Sequence, residues 1–250
     1  MSTNADSLGN KLKELEVLCC EARPDIIVVT EVKPKNSTHR TTEAQLQLDG
    51  YDLYTNLAQG SRGICIYAGG NLKTSEVKTG SANRDSIWLD IECEGNHTLR
   101  VGGIYRSPSN RPNENKELER HLGLMLAHTP TNMDLVIAGD FNLPGVDWNS
   151  LHSYRAATHP STTFLNFFMD NNLTQHVNKP TRHREGQRDS IPDLILTREE
   201  ETIDEVNYLA HLGKSDHCVI TADINTRPQL RNRTKRLKCF DRGDYVMLKR

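Results

Sequence analysis

The sequence of 250 residues predicts an α/β fold in which two packed β-sheets form a sandwich flanked by helices. Three observations predict it. Short apolar runs of strand length recur along the whole chain, while only three stretches carry helical spacing, too few for a strand-helix alternation. At 36% hydrophobic and 26% charged residues the chain can bury one large core. No uninterrupted apolar run approaches the roughly 18 residues that a membrane span requires, so no membrane association is expected.

Taken in order, residues 8–20 place Leu8, Leu12, Leu15, Val17, Leu18 and Cys19 near helical spacing, with Ser7 as a capping hydroxyl, and predict an amphipathic helix. Pro24 punctuates the chain. Residues 25–30 then read as a buried strand that delivers Glu31. Further strands are predicted over 51–55, 63–68, 86–93, 99–105, 135–138, 194–197, 206–209 and 219–224, and helices over 115–127 and 162–171. Periodic hydrophobicity stops near Thr226-Arg227-Pro228, which predicts a catalytic domain over 1–226 and a basic linker or tail over 227–250.

That tail holds nine Lys or Arg against Asp241 and Asp244, whereas the whole chain has a net charge of -2. Such a segment suits contact with nucleic-acid phosphates and equally suits a solvated spacer. The six cysteines are scattered, with no Cys-x-x-Cys spacing, and the start of the chain lacks a basic and apolar leader. Free thiols in a reducing compartment follow as the expectation, and with them an intracellular location, nuclear or cytoplasmic.

Three separated stretches carry the candidate chemistry. Gly139-Asp140-Phe141-Asn142 follows an apolar run, Ser215-Asp216-His217 precedes one, and Glu31 ends another. Each sets polar groups at a strand end, where loops gather them at one rim of a sheet, as metal-assisted phosphodiesterases are built. If strand conformation persisted through Phe141, Asp140 and Asn142 would point to the same side, one to take a proton from water and the other to hold it. His217, held by a carboxylate such as Asp193, can stabilise charge developing on a phosphoryl oxygen. Glu31 suits Mg²⁺, and Tyr105 and Arg106 suit a phosphate. Each feature also has a plainer explanation: Asp and Asn after strands form turns, Asp193 after Pro192 can cap one, and Tyr105 can be packing. A serine hydrolase is disfavoured because no Gly-x-Ser-x-Gly elbow exists.

In order, these pieces resemble the endonuclease/exonuclease/phosphatase superfamily, and within it the endonuclease domain of non-LTR retrotransposons. The matching text is Thr3-Asn4-Ala5-Asp6-Ser7-Leu8 with Asn10-Lys11-Leu12, Pro24-Asp25-Ile26-Ile27 to Glu31, and Ile104-Tyr105-Arg106-Ser107-Pro108. It continues through Gly139-Asp140-Phe141-Asn142-Leu143-Pro144, Lys179-Pro180-Thr181-Arg182, Asp193-Leu194-Ile195-Leu196-Thr197 and Ser215-Asp216-His217. The resemblance implies a four-layer, deoxyribonuclease I-like sandwich of two mixed sheets that nicks DNA with Mg²⁺, or with Mn²⁺ in its place.

It further implies that Asn4, Glu31 and Asp216 hold the metal and that Asp140 activates water. Asn142 would position that water, Tyr105 would contact phosphate, and His217 with Asp193 would stabilise the transition state. Arg106, Ser215, Thr181 and Arg182 complete the expected substrate-binding set, with Lys214 shaping the loop. Only Met1-Ser2-Thr3 precede Asn4, so the first strand is expected to be nearly absent. Phe240 to Tyr245 look like a connector to a reverse transcriptase domain, which is the expected partner beside DNA. Two alternatives stay open: a phosphomonoesterase or phospholipid-type diesterase of the same fold, and a nucleic-acid-binding remnant without activity.

Overall fold

The computed structural model describes residues 1–35, 40–78 and 83–230. The chain begins with β1 (Ser2–Asn4), α1 (Leu12–Ala22), β2 (Ile26–Thr30), β3 (Tyr51–Asn56), β4 (Ile64–Gly69), β5 (Thr74–Glu76), β6 (Ser86–Glu92) and β7 (Thr98–Tyr105). It continues through α2 (Pro112–Ala127), β8 (Asp134–Asp140), the short β9 (Val146–Asp147) and β10 (His152–Ser153), and α3 (Pro160–Asp170). The last strands are β11 (Thr174–Gln175), β12 (Asp193–Thr197), β13 (Ile203–His211) and β14 (Cys218–Ile224).

Two mixed six-stranded sheets result, ordered β13-β14-β1-β2-β4-β3 and β11-β12-β8-β7-β6-β5. The apolar runs are continuous because most central strands are covered on both faces. In β2, Val28 faces the other sheet while Ile27 and Val29 pack with Leu8 and Leu15 of the α1 side. In β8, Val136 and Ala138 face inward while Leu135 and Ile137 pack with Leu122 and Phe164 of α2 and α3. The result is four layers, helix, sheet, sheet and helices, with three apolar cores between them.

This alternation also positions the polar residues. Every second residue shares a face, so Asp140 continues the inward row of Val136 and Ala138, Asp193 precedes inward Ile195, and Tyr105 follows inward Val101. Asn4 and Thr30 pair across β1 and β2, in the inward register set by Ser2 with Val28. All five residues lie at strand ends on one rim. Strand direction and pleat together therefore aim them into one space between the sheets.

Three features differ from the sequence expectations. The first strand is short but not missing: Ser2 pairs with Val28 on one side and Ile220 on the other, and Ser2, Thr3 and Asn4 are buried. Helix α2 starts at Pro112, whose fixed φ and missing N–H suit a first helical turn. The packed chain also runs past 226, since Pro228 pairs with Cys93 and Leu230 with Leu72. The remaining basic tail and the connector-like Phe240 to Tyr245 lie outside the described residues. No helix among the described residues is long and apolar enough to cross a membrane.

Candidate active site

Asp140 and Asp193 are direct partners across the antiparallel β8–β12 pair, which sets two buried carboxylates side by side. Their hydrogen bonds separate their tasks. Asp193 Oδ2 accepts from His217 Nδ1 at 2.7 Å and from the Thr181 hydroxyl at 2.6 Å. Asp140 Oδ2 accepts from Asn4 Nδ2 at 2.7 Å, and its Oδ1 accepts from the Asn142 backbone N–H at 3.1 Å. Burial opposes charge on His217, but Asp193, followed by Asp140 and Asp216, outweighs it and raises the imidazole to about 9. Burial and the neighbouring Asp193 push Asp140 up to about 7, against the pull of His217 and Asn4.

Asp140, Asp193 and His217 offer ligand atoms within 4.8 Å of one another, close enough to hold a metal ion. The short bond between His217 and Asp193 argues for another use, because it occupies one atom of each. A second acidic group borders them. Glu31 accepts from the Tyr105 hydroxyl at Oε1, 2.7 Å, and its Oε2 lies 3.0 Å from Arg62 Nη1, whose Nη2 reaches Asp6 Oδ1 at 2.8 Å. Burial, then Glu31, raises the Tyr105 hydroxyl well above its ordinary range, so it stays a donor.

A hard divalent ion fits this side of the rim. The donors are carboxylate and amide oxygens, and the arginine already stands in as a cation between two carboxylates. Beside Asn4, the buried Thr30 hydroxyl has no hydrogen-bond partner. Backbone strain gathers here as well: Asp6, Ser7, Glu31 and Asn142 all have positive φ, from 39° to 78°.

Several of the expected site residues are engaged by other groups of the protein. Strand conformation ends at Asp140; Asn142 turns to φ 45° and its Nδ2 donates to the Arg106 carbonyl, so the two side chains do not share a strand face. The Tyr105 hydroxyl is turned to Glu31 rather than left open to a phosphate. Arg106 is a buried brace, donating from Nε to Asn115 and from Nη1 to the carbonyls of Phe141 and Asn142. Thr181 is fully buried and positions Asp193. Ser215 is also internal: its hydroxyl donates to the Asn4 carbonyl and accepts from the His217 N–H. Asn4 Oδ1 accepts from the Asp6 N–H and its Nδ2 donates to Asp140, which orients the amide and leaves one Oδ1 lone pair.

Asp216 lies at the rim, taking Arg182 Nε at 2.9 Å and standing 3.7 Å from His217 Nε2. Lys214 is exposed beside it. Sequence reasoning did not single out Asp6, Thr30 or Arg62. For Asp6 a signal existed, its spacing of two from Asn4. For Arg62 there was only the turn Ser61-Arg62-Gly63 between strands.

Residues 99–221 match the family described as endonuclease-reverse transcriptase. No curated protein matches the chain by sequence. Among solved structures, the endonuclease domain of TRAS1, a telomere-specific non-LTR retrotransposon, is 15% identical with a TM-score of 0.66, covering 89% of this chain and 96% of that one. The AP endonuclease LMAP from Leishmania major is 14% identical with a TM-score of 0.67, over 91% of this chain and 87% of that one. The 3′ phosphatase NExo from Neisseria, bound to product DNA hairpin, is 18% identical with a TM-score of 0.65, over 90% and 98%. At such identities the structures speak for the fold, and the sequence match covers strands β7 to β14 where Asp140, Asp193 and His217 lie. The chain thus shares the fold of these nucleases and phosphatases, and its residues 99–221 match the endonuclease-reverse transcriptase family.

Proposed function

We propose that the protein is a divalent-metal-dependent endonuclease that nicks DNA by hydrolysing a phosphodiester. The observation that carries this reading is the pairing of His217 with buried Asp193 at 2.7 Å beside Asp140, at the rim where Glu31 meets a cation. Asp140, with its carboxyl pushed to about 7, is matched to accept a proton from water near neutral pH. His217 stays protonated to about pH 9 and presents positive charge to a phosphoryl oxygen as negative charge builds there. Asp193 holds the ring, and Thr181 holds Asp193. Asn142 completes the loop that carries Asp140, and Arg182 keeps Asp216 in place.

Glu31, Asp216 and Asn4 would hold Mg²⁺, with Mn²⁺ as a substitute; when bound, the ion supplies charge neutralisation at the phosphate and leaving oxygen. A nick that leaves a 3′-hydroxyl would suit priming by a reverse transcriptase domain outside this chain, in line with the matched family. The basic tail would be a linker or DNA contact. Cys19, Cys20, Cys65, Cys93 and Cys218 are free thiols, which supports an intracellular, nuclear or cytoplasmic, setting.

Conversion of supercoiled plasmid to relaxed circles with Mg²⁺, and its loss with EDTA, tests the reading. Asp140→Ala and His217→Ala should each remove most activity, and full nicking by both would refute the assignment. A phosphomonoesterase or phospholipid-type diesterase remains the second reading, favoured by the likeness to a 3′ phosphatase. Side-by-side assay of plasmid, a 3′-phosphorylated oligonucleotide, inositol polyphosphate and sphingomyelin separates these. A nucleic-acid-binding remnant without activity is the third reading; its first strand is three residues long yet paired on both sides.

A further inference from the structure

Arg62 is the feature of the rim that the proposed chemistry leaves unused. Its three nitrogens are all engaged: Nη1 with Glu31 Oε2 at 3.0 Å, Nη2 with Asp6 Oδ1 at 2.8 Å, and Nε with the Lys33 carbonyl at 2.9 Å. The partners come from the loops after β1 and β2, while the arginine comes from the turn between β3 and β4. Gly63 fixes that turn with φ +77°, and a Cβ there would meet Val32 Cγ2 at 2.9 Å and Leu57 Cδ2 at 3.0 Å. The guanidinium is thus held by construction between two carboxylates.

The pairing collides with a metal's needs. Both Glu31 oxygens already accept, Oε1 from the Tyr105 hydroxyl and Oε2 from Arg62, so an ion bound to this carboxylate would lie beside the guanidinium. A divalent ion and a guanidinium sharing one carboxylate would repel each other at short range. Exchange is nonetheless open, because the Asp6 side chain is 56% exposed and solvent reaches the outer end of the pair.

We propose that Arg62 is a place-holder cation: it neutralises Glu31 and Asp6 until a divalent ion arrives, and must leave Glu31 for that ion to bind. The proposal rests on the metal-dependent reading above. It makes the resting affinity for metal weaker than the carboxylates alone would give, and it makes Arg62 a positioning residue rather than a ligand.

The test titrates chelator-treated full-length protein with Mn²⁺ alone, followed by electron paramagnetic resonance of the free ion. Arg62→Gln should bind Mn²⁺ about fivefold to tenfold more tightly than wild type. Arg62→Lys, which keeps the charge, should return most of the way to wild type. Glu31→Gln should abolish binding. In wild type, the ¹⁵N signal of Arg62 Nε should shift in step with Mg²⁺ saturation, a readout that survives even if a variant fails to fold. Equal or weaker Mn²⁺ binding by folded Arg62→Gln, or an unmoved Arg62 signal at saturation, overturns the place-holder and leaves the metal reading standing. Wild-type Mn²⁺ binding in Glu31→Gln overturns the metal reading itself, and the proposal with it.

Discussion

Gly139 is the residue on which the alignment of β7 and β8 depends. Its φ of +145° is a region that L side chains rarely enter, and a Cβ there would lie 2.0 Å from the Ile104 carbonyl oxygen, 2.9 Å from its carbon and 3.0 Å from its nitrogen. All three are backbone atoms of the paired strand, so no side chain can rotate away. A carbon and an oxygen rest roughly 3.3 Å apart, so Gly139→Ala must separate the strands locally by about 1 Å or more. Overpacking and a disfavoured φ together cost on the order of 2–5 kcal/mol.

The next residue is Asp140, and a displacement of about 1 Å at a reacting group costs roughly 100-fold in rate. Gly139→Ala should therefore lower the melting temperature and reduce initial rates of plasmid nicking about 100-fold. Gly123→Ala provides the control. That glycine sits in α2 with its nearest neighbour, Phe167 Cε2, at 3.7 Å, and the change should be neutral or stabilising by up to about 1 kcal/mol. A Gly139→Ala protein with wild-type melting temperature and rate would refute the argument.

The His217 pair carries a pH signature. Because the folded imidazole titrates near 9 against an ordinary 6.5, its stabilisation is fully present below pH 6.5 and lost as pH rises to about 9, on the order of 3 kcal/mol in chelator. Urea unfolding of wild type and His217→Asn should show a gap that closes between pH 6 and pH 9.5; a constant gap would show that the imidazolium is not its source. Thr181→Val removes a buried donor to Asp193 and should lower kcat about tenfold with little change in KM. A rise in KM alone would instead make Thr181 a substrate contact.

Much of the sandwich was legible because burial on both faces writes continuous apolar runs, as in Ile26–Thr30 and Asp193–Thr197. Strands of two or three residues, such as Ser2–Asn4 and Thr174–Gln175, have no room for a periodic pattern and stayed invisible. At the rim the chemical types were legible but not their direction. Arg106, Thr181 and Ser215 are the polar residues a phosphate would attract, and each also braces a backbone or a carboxylate from inside. A strand's parity says which side a residue faces, but no pattern says which loop will meet it. Arg62 lay hidden for that reason, since its partners sit in two other loops.

Strand β1 lies between β2 and β14, with Ser2 hydrogen-bonded in register with Ile220. During synthesis β1 must therefore wait, one edge open, for β14, the last strand among the described residues, to leave the ribosome. Contacts so distant in sequence close slowly, because the loop entropy is lost before the pairing repays it. Asn4 and His217 meet only when that closure is made. Until β14 has emerged and paired with β1, a nascent chain would hold no assembled site, and the site would form in one late, cooperative step.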